Sequence, residues 1–333
     1  MDQSIYNYIK NKRLLITGAS GYLANNLAKF LKDFPCTIRR FTRKAKLPSL
    51  QGTAIVEDLQ GDICDTAVWD RAVDGVDIVF HLSAQTSVYK AAKNPAVDYQ
   101  ANVLPMLLML EAFKKNAVQP NIIFSGTSTE VGLPKTLPVN ETFADHPITI
   151  YDAHKYMAEA YLKCYARLGW VKGVTLRLTN VYGPGSMCSS DDRSVLNMMA
   201  FKAVSGENLT LYGKGEFVRD YIFVEDVIYA FLAALLNMDQ LNKKHFVLGS
   251  GEGNSIAKMV DEIIEQVAQK TGVRVKVDSI QPPNGLSPIE TRNFIADSTS
   301  FSNITDWLPR YSLSERISQT IEAIYSNKKK ILN

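Results

Sequence analysis

Short apolar runs alternate with longer amphipathic stretches through the first half of the chain. Six apolar runs predict buried strands, at residues 14–17, 37–41, 54–56, 77–81, 121–125 and 173–178. Four amphipathic stretches predict helices, at residues 21–32, 67–73, 95–115 and 151–168, and Pro105 predicts a kink or local break in the third. Strands that alternate with helices require right-handed crossovers and a parallel sheet covered on both faces. The pattern therefore predicts an α/β fold with a doubly wound parallel sheet, whose ligands bind outside the carboxyl ends of the strands.

The regular alternation stops after residue 178. Residues 180–190 are rich in Gly, Pro and Ser. Beyond them lie helix-like stretches at 194–204, 225–236 and 255–271 and strand-like runs at 209–212, 245–248 and 274–277. This change predicts a smaller, mixed C-terminal lobe, and the cleft between the lobes is the expected ligand site. We expect residues 1–178 to form the larger domain, with 221–250 returning to it, and residues 179–220 and 251–333 to form mainly the smaller lobe.

The composition narrows the choice of partners. Of 333 residues 46% are hydrophobic, and 37 Lys and Arg against 34 Asp and Glu give a net charge of +3. This balance is too even to indicate nucleic acid or an anionic membrane as the main partner. The four cysteines lie far apart without C-x-x-C spacing, so we expect neither a metal site nor a disulfide framework. No apolar run approaches membrane-spanning length, and we expect a soluble cytoplasmic protein.

A turn with two glycines joins the first predicted strand to the first predicted helix. It reads Thr-Gly-Ala-Ser-Gly-Tyr-Leu-Ala from Thr17 to Ala24. Gly18 permits a tight turn, Gly21 allows the backbone to approach a pyrophosphate at the helix N-terminus, and Ala24 permits close packing of helix and strand. In this strand–turn–helix context the motif indicates a dinucleotide site, and the predicted fold is of the Rossmann type.

The second predicted strand suggests which dinucleotide binds. In NAD-binding folds this strand usually ends with an acidic residue that binds the ribose hydroxyls, but here it carries a basic cluster that includes Arg39, Arg40 and Arg43. A guanidinium can bind a 2′-phosphate through two hydrogen bonds, whereas a carboxylate would repel it. We therefore expect NADP, bound by Arg43 and then by Arg39, with NAD as the alternative.

A tyrosine and a lysine share one face of the fourth predicted helix. Tyr151 and Lys155 are one helical turn apart, so the lysine ammonium could stabilise a phenolate and make the tyrosine a base near neutral pH. Ser128 follows the fifth predicted strand, at the carboxyl edge of the sheet. A Tyr-x-x-x-Lys pair alone is weak evidence for a catalytic site. The same pair, after the glycine turn and at this order and spacing, is strong evidence for one.

These motifs resemble those of the extended short-chain dehydrogenase/reductases, the nucleotide-sugar epimerase/dehydratase family, over nearly the whole chain. The resemblance is also carried by Gly-Asp-Ile at 61–63, His-Leu-Ser-Ala-Gln at 81–85, Asn102, Arg-Leu-Thr-Asn-Val-Tyr-Gly-Pro-Gly at 177–185 and Arg-Asp-Tyr-Ile-Phe-Val-Glu-Asp-Val at 219–227. It implies an NAD(P)-dependent enzyme whose substrate is a nucleotide-diphosphate sugar, and a place in polysaccharide biosynthesis.

The resemblance also implies roles for individual residues. Tyr151 would take the proton of the sugar C4 hydroxyl, Ser128 would orient that hydroxyl, and Lys155 would bind the nicotinamide ribose. The implied cofactor residues are Gly18, Ser20, Gly21, Tyr22, Leu23, Asp62, Ile63, Leu82, Ala84, Asn102, Tyr151, Lys155 and Leu178. The implied substrate contacts are Ser128, Asn180, Tyr212, Arg219 and Arg292, of which the two guanidiniums suit a pyrophosphate.

A homodimer is implied as well, because family members commonly pack two helices of each subunit into a four-helix bundle. Here these helices would be 95–115 and 151–168, where the candidates for apolar contact, or for the core, are Met106, Leu107, Leu110, Met157 and Leu162. His154 stands where the family usually has Ser or Thr, and we expect it to pack between helices or at this interface.

Glu130 bears on the type of reaction. Ser128-Thr129-Glu130 resembles the Thr-x-Glu of nucleotide-sugar dehydratases and decarboxylases. Once C4 is a ketone, the protons on C3 and C5 are acidified, and the Glu130 carboxylate could remove one of them. We therefore expect a self-recycling, NADP-dependent epimerase or dehydratase of a nucleotide-diphosphate hexose. An NADPH-dependent 4-ketoreductase is the alternative, followed by a glucuronate decarboxylase and a non-catalytic NADP-sensing regulator.

Overall fold

The structure is a computed structural model that describes residues 2–185, 195–283 and 285–332. The strands in this part of the chain are β1 (Arg13–Thr17), β2 (Thr37–Thr42), β3 (Ile55–Gln60), β4 (Ile78–His81), β5 (Asn121–Thr127), β6 (Lys172–Leu178), β7 (Asn180–Tyr182), β8 (Leu209–Tyr212), β9 (Val218–Phe223), β10 (His245–Leu248), β11 (Gly253–Ser255) and β12 (Val277–Ile280). Seven of them form one parallel sheet in the order β10-β6-β5-β4-β1-β2-β3. Because the strand order reverses beside β1, a crevice opens at the carboxyl ends of β1 and β4.

Helices cover both faces of this sheet. The helices are α1 (Asp2–Ile9), α2 (Tyr22–Leu31), α3 (Thr66–Val73), α4 (Val88–Lys93), α5 (Pro95–Asn102), α6 (Leu104–Lys115), α7 (Ile150–Arg167), α8 (Val195–Val204), α9 (Val224–Leu236), α10 (Met238–Leu241), α11 (Ile256–Thr271), α12 (Thr299–Thr305) and α13 (Leu313–Leu332). Strand alternation divides the core: Leu14 and Ile16 of β1 pack with α1, α2 and α9, whereas Leu15 packs with α3, α6 and α7. Burial of both faces explains why the strands are nearly continuous apolar runs.

The remaining strands build smaller sheets beyond the central one. One contains β11, β9 and β7, and the other pairs β12 with β8. A separate apolar core joins α8, α11 and α13 and includes Leu196, Met259, Ile263 and Ile317. The prediction of a doubly wound α/β fold with a smaller mixed part is confirmed, and the exact domain boundaries stay a prediction.

The third predicted helix is broken, as Pro105 indicated. Helix α5 ends at Asn102 and α6 begins at Leu104, with Pro105 in its first turn, where proline needs no hydrogen-bonded N–H. The strand predicted at 274–277 lies at Val277–Ile280 instead, because pairing with β8 sets its register. Part of the 180–190 loop and the start of the 194–204 helix lie outside the described residues.

Most of the apolar side chains considered for a dimer contact belong to the core. Met106, Leu110 and Leu162 are buried against the central sheet and Leu107 is half-buried, so only Met157, 39% exposed, retains a large free surface. Of the two alternatives, dimer contact or core, the three buried residues belong to the core, because a helix between a sheet and solvent turns its apolar stripe toward the sheet. No helix in the described part of the chain is long and apolar enough to span a membrane.

Candidate active site

The hydroxyl of Thr17 fixes the crevice between β1 and β4. It accepts hydrogen bonds from the backbone N–H groups of Leu82 (3.0 Å) and Ser83 (3.1 Å) and contacts Nδ1 of His81 (3.1 Å). With two donors already on the oxygen, the hydroxyl hydrogen is directed to Nδ1, so this ring nitrogen is the unprotonated one. Burial, and then the charge of Lys155, lower the pKa of His81 to about 3, so the imidazole is neutral beneath the site.

The glycine turn forms a cradle that side chains would fill. Gly18 has φ +66°, and a Cβ built there would lie 2.8 Å from Cα of Ser83. Gly21 is the N-cap of α2, and no side-chain hydrogen bond caps the first N–H groups of this helix. Uncapped helix N–H groups beside a close backbone approach fit a pyrophosphate, and the predicted dinucleotide fits this cradle. Tyr22 is buried, while Ser20 and Leu23 are half-buried.

Other predicted cofactor residues lie along the same edge of the sheet. Asp62 is exposed just after β3, and its carboxylate accepts a hydrogen bond from the Cys64 N–H (2.9 Å). Ile63, which follows β3, and Leu82 and Ala84, which follow β4, are half-buried. Leu178 is buried at the carboxyl end of β6.

Arg39 and Arg43 have different surroundings. The Arg39 guanidinium donates to Glu57 Oε2 (3.0 Å) and to the carbonyls of Arg71, Ala72 and Asp74 at the end of α3. This corrects the prediction for Arg39, because its position in the middle of β2 directs the side chain to α3 rather than to the carboxyl edge. Arg43 is exposed just beyond the end of β2, where a 2′-phosphate could reach it.

Tyr151 and Lys155 face the end of β5 from the first turns of α7. The Thr149 hydroxyl caps this helix by accepting from the N–H of Asp152 (3.1 Å). Nζ of Lys155 donates to the Ser125 carbonyl (2.7 Å) and lies 4.0 Å from the centre of the Phe124 ring, which fixes the ammonium. Tyr151 is 4% exposed. The predicted tyrosine–lysine pair therefore begins a buried helix face with a fixed cation.

Ser128 opens a single 3₁₀ turn, Ser128–Val131, which we call the serine turn. A capping box closes it: Oε1 of Glu130 accepts from the Thr127 N–H (3.0 Å), and the Thr127 hydroxyl accepts from the Thr129 N–H. Ser128 is almost wholly buried at the end of β5. The turn therefore places Ser128 at the edge where α7 begins.

Glu130 does not face the crevice. Its carboxyl group is fully buried, with Oε1 on the Thr127 N–H and Oε2 3.1 Å from the Arg177 guanidinium. Burial and the nearby Glu159 raise the pKa of Glu130 well above its usual range, while Arg177 opposes this shift. This geometry corrects the prediction of Glu130 as a carbon acid/base, because the capping box turns the carboxyl group back into the interior.

Asn102 and His154 belong to one polar cluster between α5, α7 and the loop after β4. Nδ2 of Asn102 donates to the Gln85 carbonyl (2.9 Å) and to Oδ1 of Asp98 (3.0 Å). Nδ1 of His154 lies 2.6 Å from Oδ2 of Asp98. The prediction of His154 as a helix-packing residue is confirmed, because this contact joins α7 to α5.

Two of the predicted substrate arginines lie side by side. Arg219 is nearly buried on β9 and donates to the carbonyls of Glu290 (2.6 Å) and Arg292. Burial lowers the pKa of Arg219. Asn180 begins β7, which pairs with β9, whereas Tyr212 is exposed at the end of β8. The structure thus joins Arg219 to the backbone of Arg292 and places Asn180 on the strand that pairs with β9.

Comparison with known proteins decides the family. Residues 14–249 match the NAD dependent epimerase/dehydratase family. The chain belongs to this family. A UDP-glucose 4-epimerase from Lactobacillus helveticus is 29% identical over 320 residues, which cover 90% of this chain and 92% of that protein. The match confirms the predicted family. The protein is therefore an NAD-dependent enzyme of this family and is similar to UDP-glucose 4-epimerases.

Solved structures of this epimerase/dehydratase family agree with the fold. The UDP-glucose 4-epimerase of Thermotoga maritima, crystallised with UDP-glucose, is 28% identical, with a TM-score of 0.83 and coverage of 96% of this chain and 100% of that one. The Thermus thermophilus UDP-glucose 4-epimerase in complex with NAD is 25% identical, with a TM-score of 0.80 and coverage of 94% and 98%.

Two residues that shape this epimerase-like site were not predicted from the sequence. The Thr17 hydroxyl binds the loop after β4, and Arg177 of β6 binds the serine turn from below. A signal existed for Arg177, because a charged residue inside an otherwise apolar strand is rarely buried without carboxylate partners. No sequence signal gave the role of Thr17, which depends on how closely β1 and β4 approach.

Proposed function

We propose that this protein is a nucleotide-sugar 4-epimerase that oxidises and then re-reduces C4 of a nucleotide-diphosphate hexose. The proposal is carried by one observation, the contrast between two groups near the end of β5. Tyr151 and Lys155 begin α7 at the carboxyl edge of the sheet, with Nζ of Lys155 held 2.7 Å from the Ser125 carbonyl. The carboxyl group of Glu130, by contrast, is paired inside the protein.

Side chains of the protein would accept and return the proton of the C4 hydroxyl. Tyr151 would hold this proton and return it, while Ser128 orients the hydroxyl. The fixed ammonium of Lys155 favours the phenolate form of Tyr151, and neutral His81 adds no second positive charge. The glycine cradle would hold a dinucleotide whose nicotinamide supplies hydride transfer when it is bound.

The state of Glu130 favours epimerisation at C4 over dehydration. Elimination of water from the sugar needs a group that removes a proton from carbon, and a carboxylate must reach that proton to do so. Both oxygens of Glu130 already contact the protein, at the Thr127 N–H and at Arg177. A 4-epimerase moves protons at oxygen only, which Tyr151 can do alone.

We further propose that NADP is the dinucleotide. Arg43 is exposed where β2 ends, and the acidic residue that would bind the ribose hydroxyls of NAD is missing from this strand. The relative from Thermus thermophilus was solved with NAD, which remains the competing cofactor. The same exposed arginine favours one second candidate, a 4-ketoreductase that consumes NADPH.

The nucleotide end of the substrate is proposed to lie at β7 and β9. Support comes from Arg219, which donates to the Arg292 carbonyl, and from Asn180 on β7, which pairs with β9; guanidiniums suit a diphosphate. UDP-glucose is the substrate named for the relatives, so UDP-hexoses are the first to try. A homodimer and a cytoplasmic location are proposed from the same family resemblance.

Turnover in D₂O distinguishes the candidates. The purified enzyme is incubated with UDP-, CDP-, GDP- and dTDP-hexoses, and the products are analysed by NMR. A 4-epimerase interconverts the C4 epimers without deuterium at any carbon, whereas a dehydratase incorporates deuterium and a ketoreductase consumes NADPH. Deuterium in the product would overturn the proposal.

The control for the base is a second tyrosine on the same helix. Tyr151→Phe should lower turnover by about 10²–10⁴-fold, the usual contribution of a general base. Tyr156→Phe, at a position that is 40% exposed, should leave turnover unchanged. Equal rates for Tyr151→Phe and the wild type would exclude Tyr151 as the base.

A further inference from the structure

Arg177 lies at the centre of a buried group of carboxylates beneath the site. From β6 its guanidinium contacts Glu159 with Nε–Oε2 2.9 Å and Nη2–Oε1 2.7 Å, and Asp145 with Nη1–Oδ1 2.5 Å and Nη2–Oδ2 3.0 Å. The Oε2 atom of Glu130 lies 3.1 Å from Nη2. The side chains of Arg177, Glu130 and Glu159 are at most 1% exposed, so solvent does not screen these contacts.

One of these carboxylates holds the serine turn. Oε1 of Glu130 accepts from the Thr127 N–H, and the Glu130 carbonyl accepts from the His146 N–H (3.1 Å). Gly126, opposite Arg177 on the neighbouring strand, leaves the space for this arrangement. A Cβ at Gly126 would lie 3.1 Å from Cγ of Arg177 and 3.3 Å from Oε1 of Glu130.

A second carboxylate belongs to the helix of the tyrosine and the lysine. Glu159 follows Lys155 by four residues and Tyr151 by eight, so the three side chains lie on one stripe of α7. Lys163, one turn further, contacts Glu159 (2.5 Å) and Nδ1 of His245 (2.6 Å). Arg177 is therefore ion-paired with the turn that bears Ser128 and hydrogen-bonded to the helix that bears the base.

We propose that Arg177 is a positioning residue, which fixes the serine turn relative to α7 and so sets the distance between Ser128 and Tyr151. The fork of a guanidinium can serve several carboxylates at once, and no other basic side chain reproduces this geometry. A displacement of about 1 Å between reacting groups costs up to about 10²-fold in rate, so the contact matters although Arg177 touches neither substrate nor cofactor.

The test uses Arg177→Lys, which keeps the positive charge but loses the fork. Two measurements are made on the full-length variant: amide hydrogen exchange over 126–132 and 150–160, and kcat and KM at saturating cofactor. Arg40→Lys is the matched control, because Arg40 is also a buried guanidinium that binds a carboxylate, Asp58, in bidentate fashion but lies on β2.

We expect the Thr127 amide to exchange at least about tenfold faster in Arg177→Lys, and kcat to fall at least about tenfold with little change in KM. Arg40→Lys should leave the exchange of both segments and kcat unchanged. Glu130→Gln should also loosen the serine turn. The double variant Glu130→Gln/Arg177→Lys should loosen the serine turn by less than the sum of the two single effects on exchange, because both substitutions break the same contact.

The exchange measurement separates this proposal from the proposed function on which its kinetic part rests. Wild-type exchange of the serine turn in Arg177→Lys would overturn the positioning role, whatever the reaction is. Loosened exchange with no 4-epimerase turnover by the wild type would support the role and count against the proposed function. Loss of turnover in Glu130→Gln with no change in exchange would restore Glu130 as an acid/base and overturn the coupling.

Discussion

The buried histidine beneath the lysine gives a prediction that pH can test directly. His81 is 1% exposed at the end of β4, and Nδ1 takes the hydrogen of the Thr17 hydroxyl. Burial, with a smaller contribution from Lys155, lowers the pKa of His81 to about 3. The perturbation is His81→Asn, whose carbonyl oxygen can accept the same hydrogen bond without titrating.

The magnitude follows from proton linkage. In the unfolded chain the histidine pKa is about 6.5, so below this pH the unfolded state binds a proton that the native state does not bind. The free energy of unfolding therefore falls as the pH decreases from about 6.5 toward about 3. Between about pH 7.5 and about pH 5 the loss from this one group is about 2 kcal/mol, from about 1.4 kcal/mol per pH unit below the unfolded pKa.

Urea unfolding at these two pH values measures the effect, with the buried Trp69 and Trp307 as fluorescent probes. On acidification the free energy of unfolding of the wild type should fall by about 2 kcal/mol more than that of His81→Asn, because the contributions of the other titrating groups cancel in the comparison. His146→Asn, at an exposed histidine, is the control for the replacement itself. An identical pH dependence of wild type and His81→Asn would refute a neutral, desolvated His81.

Two further predictions concern the dinucleotide. Gly18→Ala should abolish binding of the dinucleotide, because the new Cβ would lie 2.8 Å from Cα of Ser83. The control, Gly206→Ala, at φ +79° with nothing within 4 Å, should cost only about 1–2 kcal/mol of stability and leave binding intact. Calorimetric titration with NADP measures the affinity of each variant, and equal affinities would contradict the cradle. Arg43→Asp should lower the ratio of NADP to NAD affinity at least about tenfold, because it replaces a phosphate ligand by a repelling charge. Arg71→Asp, at an exposed position on α3, should leave this ratio unchanged. An unchanged ratio in Arg43→Asp would exclude Arg43 as the phosphate ligand.

Features set by neighbouring residues could be predicted from the sequence. The glycine turn, the break at Pro105 and the one-turn spacing of Tyr151 and Lys155 depend on local backbone geometry, and each was found as expected. The doubly wound sheet follows in the same way, because strand and helix periods differ clearly when both faces of a sheet are buried.

Features set by distant residues could not be predicted. Arg39 was expected at the phosphate, but Glu57 and the carbonyls at the end of α3 bind its guanidinium. Strand alternation gives the face on which a side chain lies, and it does not give which acceptors the fold brings to that face. Helices α1 and α13 were also not predicted, because they lie outside the repeating strand–helix pattern.

Glu130 shows how far a short motif can determine chemistry. A carboxylate just after a strand of the central sheet can face either the crevice or the interior, and the two orientations differ in their charge partners. The interior orientation is stable here because Arg177 supplies a buried cation and Gly126 leaves room for both side chains. A chain with the same Ser-x-Glu triplet but without this glycine and arginine would have no such partner for the carboxylate, which would then stay toward solvent and substrate. We therefore expect the orientation of the Glu130 carboxyl group to depend on residues 126 and 177 as much as on the triplet itself.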